Sequence, residues 1–268
     1  MEKERADILC VIQGLFDSRE KAKRAIMAGI VYNDNVRVDK AGEKVLTSAV
    51  LRIKGEKMPF VSRGGLKLLR AIEEFNFDVK DKVMLDIGSS TGGFTDCALQ
   101  NGAKFVYALD VGTNQLAWKL RQDLRIKVME KTNFRNSKKE DFTLGDVEVA
   151  SIDVSFISLE LILPNLATIL IPNGKVCCLV KPQFEAGREK VGKGGIVRDK
   201  QTHKDVLLKT ITTSTKLGYS VENLTYSPIT GGGGNIEFLM ILKLDNMKNV
   251  SSEINIDEVI ESAYNHFK

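Results

Sequence analysis

The chain has 268 residues, 43% of them hydrophobic and 28% charged, which is enough to bury one large core and a smaller second one. Its net charge of +4 is too small to indicate a polyanionic partner by itself. We find no signal peptide and no apolar run near the ~18 residues of a membrane span, so the sequence favours a cytoplasmic protein of two unequal domains without a membrane partner.

The cysteines show no metal-binding pattern. They are Cys10, Cys97, Cys177 and Cys178. All lie in apolar surroundings without the paired spacing of zinc ligands, so we expect buried, reduced thiols and no bound metal.

The first segment has the pattern of a small α+β domain. Asp17 and Glu20 have the spacing of a capping box, and the helix that follows is expected to run to Ala28, before Gly29. This helix is short and strongly basic.

Small strands are expected after that helix. Short β-prone segments at 30–32 and 36–38 flank the turn residues 33–35, which indicates a tight hairpin. Residues 54–59 are polar and include a glycine and a proline, so we place the end of the first domain at residue 58.

Alternating strands and helices are expected from residue 59 to residue 245. Apolar runs that read as buried strands cover 83–87, 105–109, 147–152 and 176–180. The alternation with amphipathic segments predicts an α/β fold with a parallel sheet.

The end of this domain departs from the alternation. The runs 219–226 and 236–244 are joined by a glycine-rich turn rather than a helix, so one of them should pair antiparallel at the sheet edge. That ending is typical of Rossmann-like methyltransferases. Residues 246–268 are expected to form a polar tail, apart from a weak helical pattern at Ile256, Val259, Ile260 and Ala263.

A glycine-rich turn follows the first strand of this sheet. It has the form D-x-G-x-x-x-G-G, from Asp86 to Gly93, and lacks the G-x-G-x-x-G spacing of dinucleotide-binding turns. The form resembles the first motif of S-adenosylmethionine-dependent methyltransferases. The alternative is an ordinary packing bend between a strand and a helix.

If a cofactor binds there, the backbone amides of the turn suit its carboxylate, and Asp86 suits its amino group. Asp110, at the end of the second strand, is placed to accept hydrogen bonds from both ribose hydroxyls. The candidate cofactor residues are Asp86, Gly88, Ser89, Gly92, Gly93, Phe94 and Asp110.

Four ionisable residues occupy positions that methyl transfer would need. Lys67 precedes the first strand, Asp153 and Lys181 end the fourth and fifth strands, and Glu237 begins the last. The acids supply counter-charge, while Lys67 and a sulfonium favour the neutral amine of Lys181, which makes Lys181 the candidate general base. The alternative for any one of them is a structural ion pair.

The sequence favours an oxygen acceptor. Amino-group methylation typically uses a D-P-P-Y-like strand end, whereas residues 153–156 contain no proline. Methylation of pyrimidine carbon needs a nucleophilic cysteine, but Cys177 and Cys178 lie within a strand.

The chain resembles the TlyA group of ribosomal RNA 2'-O-methyltransferases, a group also known by the name hemolysin, from about Arg5 to Leu244. The motifs that carry the resemblance are Arg5-Ala6-Asp7, Gly14-Leu15-Phe16, Ser18-Arg19-Glu20-Lys21-Ala22, Ser62-Arg63-Gly64-Gly65-Leu66-Lys67, Asp153-Val154-Ser155-Phe156-Ile157-Ser158-Leu159 and Lys181-Pro182-Gln183-Phe184-Glu185.

The resemblance implies a first domain shared with a ribosomal small-subunit protein and an FtsJ-like methyltransferase domain. It implies S-adenosylmethionine as cofactor and rRNA or ribosomal subunits as partner, with a cytidine 2'-hydroxyl as acceptor. The group's Lys-Asp-Lys-Glu tetrad falls on the four ionisable residues above, and a third-strand cofactor contact falls on Asn133.

Basic residues are expected to bind the phosphates of RNA. The candidates are Arg5, Arg19, Lys23, Arg24 and Arg63, and residues 184–204 are expected to form a mobile basic lip. The alternative for each is a solvated helix face.

Two other functions stay open from the sequence. They are a membrane-active cytolysin and a non-catalytic RNA-binding assembly factor. No protein partner is indicated.

Overall fold

The computed structural model describes residues 2–33, 36–53 and 58–268, and it divides into two compact units. Unit 1 comprises residues 1–59 and unit 2 residues 60–268. The expected linker residues 54–57 lie outside the described residues.

Unit 1 packs two short helices against small antiparallel sheets. Its described elements are β1 (Lys3–Arg5), α1 (Ala6–Ile12), α2 (Arg19–Met27), β2 (Val31–Asn33), β3 (Val36–Arg37), β4 (Lys44–Leu46) and β5 (Leu51–Ile53). β1 pairs with β4, and β2 lies between β3 and β5. The core includes Leu9, Ala22 and Ile26.

The start of α2 differs from the expectation. The N-cap is Ser18, whose hydroxyl accepts the Lys21 N–H, so the predicted capping box of Asp17 and Glu20 was wrong by one residue. Asp17 instead forms an ion pair of 2.6 Å with the Lys21 ammonium. A hydroxyl can cap a helix as well as a carboxylate can, and two adjacent candidates cannot be separated by spacing alone.

The predicted hairpin is confirmed. Tyr32 pairs with Arg37, and Asn33 pairs with Val36, so Asn33 belongs to the strand rather than to the turn. Turn residues 34 and 35 lie outside the described residues.

Unit 2 is an α/β sandwich around a seven-stranded sheet. Its elements are α3 (Gly65–Phe75), β6 (Val83–Ile87), α4 (Gly93–Gln100), β7 (Phe105–Leu109), α5 (Trp118–Arg121), β8 (Ile126–Met129), β9 (Val147–Ile152), α6 (Leu163–Ile169), β10 (Leu170–Val180), α7 (Pro182–Glu185), α8 (Lys200–Lys216), β11 (Tyr219–Tyr226), β12 (Phe238–Leu244) and α9 (Ile256–His266).

The strand order is β11-β12-β10-β9-β6-β7-β8, and β12 runs antiparallel to both of its neighbours. The expected α/β class and the antiparallel pairing near the sheet edge are confirmed. The strand predicted to begin at residue 176 begins at Leu170, and the last strand begins at Phe238 rather than at residue 236. The four cysteines are buried and free, as predicted.

The weak helical pattern expected within the polar tail is confirmed. Asn255 caps α9, and this helix buries Ile260 and Ala263 in the main core of unit 2. Ion pairs of 2.7 Å between Lys204 and Asp257 and of 2.5 Å between Lys200 and Glu261 join α9 to α8. A helix that buries so few side chains gives only a faint sequence pattern.

Candidate active site

The four ionisable residues expected to act together form one continuous row of charges. The Lys67 ammonium lies 2.8 Å from a Glu237 carboxylate oxygen and 3.5 Å from an Asp153 oxygen. The other Asp153 oxygen lies 2.5 Å from the Lys181 ammonium. The order is therefore Glu237, Lys67, Asp153, Lys181, with opposite charges adjacent throughout.

The sheet topology brings this row together. Asp153 and Lys181 directly follow the adjacent parallel strands β9 and β10, so they leave the sheet at the same edge. Because β12 is antiparallel to β10, its first residues lie at that edge too, and Val180 pairs with Phe238 beside Glu237. Lys67 reaches the row from α3.

Lys67 is the more firmly held of the two ammonium groups. Burial alone would lower the pKa of Lys67, but the charges of Asp153 and Glu237 outweigh burial and raise it. Lys181 contacts one carboxylate and the Ser155 hydroxyl, at 3.2 Å. Lys67 is therefore suited to remain a cation, and Lys181 is the amine with fewer anionic partners.

The loop after β9 is fixed to α7 on both sides of an exposed aromatic ring. Lys181 donates to Ser155, and the Glu185 carboxylate accepts the Ser158 hydroxyl at 2.6 Å and the Leu159 N–H at 2.7 Å. Burial raises the pKa of Glu185. The family resemblance singled out both segments, but it gave Glu185 no role.

Phe156 stands out within this loop, and the sequence argument gave it no role. Its side chain is 90% exposed, its φ is +63°, and its ring centroid lies 4.9 Å from that of Phe184. A bulky residue with positive φ is strained and persists only when its surroundings fix it. An aromatic residue three positions after a strand-end carboxylate is the one sequence signal that could have found it.

The glycine turn after β6 is shaped by contacts within the protein. A Cβ on Gly88 would lie 2.5 Å from the Asp153 carbonyl oxygen, and a Cβ on Gly93 would lie 2.4 Å from the Ser62 hydroxyl. Gly92 has a φ of +94°, and a Cβ there would lie 2.3 Å from a Leu120 methyl group. The absence of side chains at these glycines is expected to let a ligand approach the backbone. It also lets other segments of the same protein pack against the turn.

Asp86 is bonded on both of its oxygens within the protein. It is fully buried, and its two oxygens accept the Thr95 hydroxyl at 2.6 Å and the Ser151 hydroxyl at 2.8 Å. Burial raises its pKa to about 6. The carboxyl joins β6 to β9 and α4, and its expected contact with the amino group of a cofactor stays a prediction.

Asp110 holds the glycine turn and keeps accepting capacity. Its oxygens accept the Ser90 N–H at 2.8 Å and the Gly112 N–H at 2.7 Å. Each carboxylate oxygen has a second lone pair, so these bonds are compatible with ribose hydroxyls at the same group. The Ser89 N–H, which we had expected to bind a carboxylate, donates to the Leu109 carbonyl.

The remaining cofactor candidates divide by exposure. Phe94 is buried in a core cluster, and its expected contact with a cofactor stays a prediction. Asn133 is exposed just beyond β8, and the neighbouring Thr132 N–H donates to the Asp110 carbonyl at 3.0 Å. Val111, which sequence reasoning missed, is 71% exposed directly after Asp110. The turn, Asp110, Val111 and Asn133 thus fit a nucleoside with an amino acid tail.

The basic candidates of unit 1 are not equivalent. Arg5 and Arg19 both bond the carboxylate of Asp7, which is only 3% exposed. The hydrogen bond from Arg5 lowers the pKa of Asp7 to about 2, with Arg19 also contributing. These two arginines therefore help to hold the unit together, and their side chains are exposed, as are those of Lys23 and Arg24 on α2.

Two candidates for RNA contact belong to unit 2. Arg63 is exposed just before α3. The expected lip of residues 184–204 is partly helical, because α7 ends at Glu185 and α8 begins at Lys200. We name the intervening residues 186–199 the lip.

A seven-stranded sheet with one reversed strand, a glycine turn and a charged row at the strand ends defines a Rossmann-like methyltransferase. A family model described as FtsJ-like methyltransferase matches residues 60–244, and the chain belongs to this family. A second model, described as S4 domain, matches residues 4–51.

Individual relatives confirm the resemblance to the TlyA group. The Bacillus subtilis protein YqxC, to which rRNA methyltransferase activity is ascribed, is 58% identical over 100% of this chain and 96% of its own length. The Mycobacterium tuberculosis 16S/23S rRNA (cytidine-2'-O)-methyltransferase TlyA is 38% identical over 97% of each chain. A solved Streptococcus thermophilus structure, described as a hemolysin, has a TM-score of 0.81 and 54% identity, covering 100% of this chain and 98% of its own.

Because some relatives carry the name hemolysin, we looked for membrane-spanning helices. Among residues 2–33, 36–53 and 58–268, the structure has no helix with the length and apolar character needed to cross a bilayer.

Gly92→Ala tests the shape of the glycine turn. The added methyl meets Leu120 and the backbone must keep positive φ, so we expect a loss of about 1–3 kcal/mol in the free energy of unfolding and weaker cofactor binding. Calorimetric titration with S-adenosylmethionine measures the affinity. Gly102→Ala is the control, because its φ of +86° gives similar strain outside the turn. Equal affinities in both variants would contradict this role of Gly92.

Asp7→Asn tests the ion pairs inside unit 1. The folded-state pKa is depressed, so Asp7 stabilises the fold above pH ~4, and this contribution is lost as pH falls towards about 2. Because the arginines are half-exposed, we expect the variant to lose about 1–2 kcal/mol at pH 7.

Amide hydrogen exchange of residues 6–12 in the full chain, at pH 7 and pH 3, measures this loss. Asp17→Asn, which removes an exposed carboxylate that also pairs with a cation, should change stability by less than about 0.5 kcal/mol. An Asp7→Asn protein as stable as the wild type at pH 7 would overturn the assignment.

Proposed function

We propose that the protein transfers a methyl group from S-adenosylmethionine to the 2'-hydroxyl of a cytidine in ribosomal RNA. The observation that carries this proposal is the row of alternating charges at the strand ends, which includes an amine next to only one carboxylate. The names of the Mycobacterium tuberculosis and Bacillus subtilis relatives support the RNA substrate. We expect the protein to act in the cytoplasm, where ribosomal subunits are modified.

The residues at the ends of β6, β7 and β8 would hold the cofactor. When bound, S-adenosylmethionine supplies an electrophilic methyl group carried on a sulfonium. The turn from Gly88 to Gly93 would accommodate its amino acid part, and Asp110 would accept the ribose hydroxyls. Val111 and Asn133 would contact the base.

The tetrad would act on the acceptor ribose. Lys181, in its neutral form, takes the proton that the 2'-hydroxyl loses as the oxygen attacks, and Asp153 orients the amine through its 2.5 Å contact. Lys67 keeps its proton and bridges the two carboxylates, which stops them from repelling each other. Glu237 anchors Lys67.

Phe156 would hold the base of the acceptor nucleotide. An exposed ring on a loop that is fixed at Ser155 and Ser158 is a pre-organised stacking surface beside Lys181. Base stacking on an aromatic ring is worth about 1–3 kcal/mol. The positive φ of Phe156 is a local cost that this role would explain.

Two rivals remain, and one measurement addresses both. A non-catalytic assembly factor would bind ribosomal subunits without transferring methyl groups, and a cytolysin would need no RNA. Incubation with radiolabelled S-adenosylmethionine and subunits that lack the modification should place the label on ribose, in an alkali-resistant dinucleotide. Labelled base, or unlabelled RNA, would reject the proposal.

Lys181→Met should slow methyl transfer by at least about 100-fold, because the general base is lost. Lys181→Arg should be as slow, because a guanidinium does not give up its proton at neutral pH. Cofactor affinity, measured by calorimetry, should stay within about twofold. Lys175→Met, in the strand that Lys181 follows and paired with Glu222, is the control and should keep the wild-type rate. A fully active Lys181→Arg enzyme would exclude Lys181 as base.

Phe156→Ala should raise the KM for the RNA by about tenfold and leave cofactor affinity unchanged, because only stacking is lost. Phe156→Tyr keeps the ring and should retain most of the wild-type KM. Steady-state kinetics on ribosomal subunits distinguish these outcomes. Equal KM values for the alanine variant and the wild type would show that the ring does not contact the substrate.

A further inference from the structure

Asn235 joins two glycine-rich segments beside the tetrad. Its side chain amide donates to the Gly195 carbonyl at 2.9 Å and to the Gly232 carbonyl at 3.0 Å. Its side chain oxygen accepts the Val197 N–H at 3.0 Å. The residue is only 3% exposed, so each of these bonds is shielded from water.

The two segments touch at their tips. The lip folds back on itself between Gly192 and Ile196, whose backbones are bonded at 3.0 Å. The opposing tip is the turn 231–234, where a Cβ on Gly233 would lie 3.5 Å from Ile196 and 3.6 Å from the Gly194 carbonyl. A Cβ at those distances would be in ordinary van der Waals contact, so glycine is favoured at position 233 by its φ of +68° rather than by lack of space, and Asn235 fixes the contact between the two segments.

The turn 231–234 in turn lies on the tetrad. A Cβ on Gly231 would lie 2.0 Å from a Glu237 carboxylate oxygen, so the backbone there is packed directly against that carboxylate. The Gly231 N–H also donates to the Asn235 carbonyl at 2.8 Å. The position of Asn235 is thereby tied to that of Glu237.

The lip carries four cations, Arg188, Lys190, Lys193 and Arg198, on the segment that follows Lys181 and α7. Lys190 pairs with Asp205 at 2.9 Å. Across the described residues, the ion pairs include no acidic partner for Arg188, Lys193 or Arg198, and these side chains can neutralise phosphates.

From these contacts we infer that Asn235 is a positioning residue for the RNA acceptor strand. It clasps the lip to the turn beside Glu237 and so fixes the lip cations where phosphates flanking the target ribose pass. This inference rests on the proposed function, because it takes RNA as the substrate. Loss of the amide leaves the Val197 N–H and the Gly195 carbonyl unpaired, which releases the lip.

The test compares Asn235→Ala with Ser220→Ala. Ser220 is also buried and also ties a loop, because its hydroxyl donates to Asp245 and accepts the Asn249 N–H, but it lies at the far end of β11. Both variants lose a buried clasp of similar size, so a difference between them reports position rather than general destabilisation.

Two readouts are expected to separate the variants. Trypsin should cleave the full-length Asn235→Ala protein after Arg188, Lys190, Lys193 or Arg198 about tenfold faster than the wild type. The KM for ribosomal subunits should rise about tenfold, with kcat and cofactor affinity within about threefold. Ser220→Ala should match the wild type in both.

The inference is overturned if Asn235→Ala is cleaved at the wild-type rate or keeps the wild-type KM. Asn235→Asp has the same size and keeps the acceptor for Val197, but it places a charge beside two carbonyls. It should reproduce the faster cleavage even if the alanine variant does not fold. Trypsin cleavage does not depend on methyl transfer. If the wild-type protein leaves rRNA unlabelled, the proposed function is rejected, and the cleavage rates still test whether Asn235 holds the lip.

Discussion

The burial of two ammonium groups at one edge of the sheet is the constraint on which the rest of the site depends. An unpaired buried cation is costly, so Lys67 and Lys181 require acids at contact distance. Asp153 serves both, and Glu237 completes the pairing of Lys67. That arrangement needs the ends of β9 and β10 and the start of β12 at one edge. The reversal of β12 is therefore a requirement of the charge row as well as a feature of the sheet.

The cofactor side of the same edge is determined mainly by packing. Gly88 lies against the backbone of Asp153, so the glycine turn and the tetrad share a contact. Asp86 fixes the turn from beneath through Thr95 and Ser151, and Asp110 fixes it from the side through two N–H groups. The glycines of this motif are therefore required by the packing of the protein around the turn, whether or not a ligand is bound.

Sequence reasoning succeeded where local patterns decide structure. The apolar runs at 83–87, 105–109, 147–152 and 219–226 are strands with the predicted bounds, because a buried strand needs an unbroken run. The charges that end two such runs, together with Lys67 and Glu237, identified a tetrad whose four members the structure brings together. Sequence reasoning did not foresee which partners individual charged side chains bond. The sequence did not show that Thr95 and Ser151 bond Asp86, or that the buried Asp7 bonds two of the arginines expected to contact RNA.

The two halves of the site are held in different ways, and this difference bears on how a large RNA can be accepted. The turn at β6 and the strand end at Asp110 are fixed by backbone bonds within the sheet and to neighbouring turns. The loop with Phe156 depends on Glu185, and the lip depends on Asn235. Single side chain contacts open at a lower free energy cost than a network of backbone bonds. The order of the acceptor side therefore depends on Glu185 and Asn235, whereas the geometry around the cofactor residues is supported by many bonds.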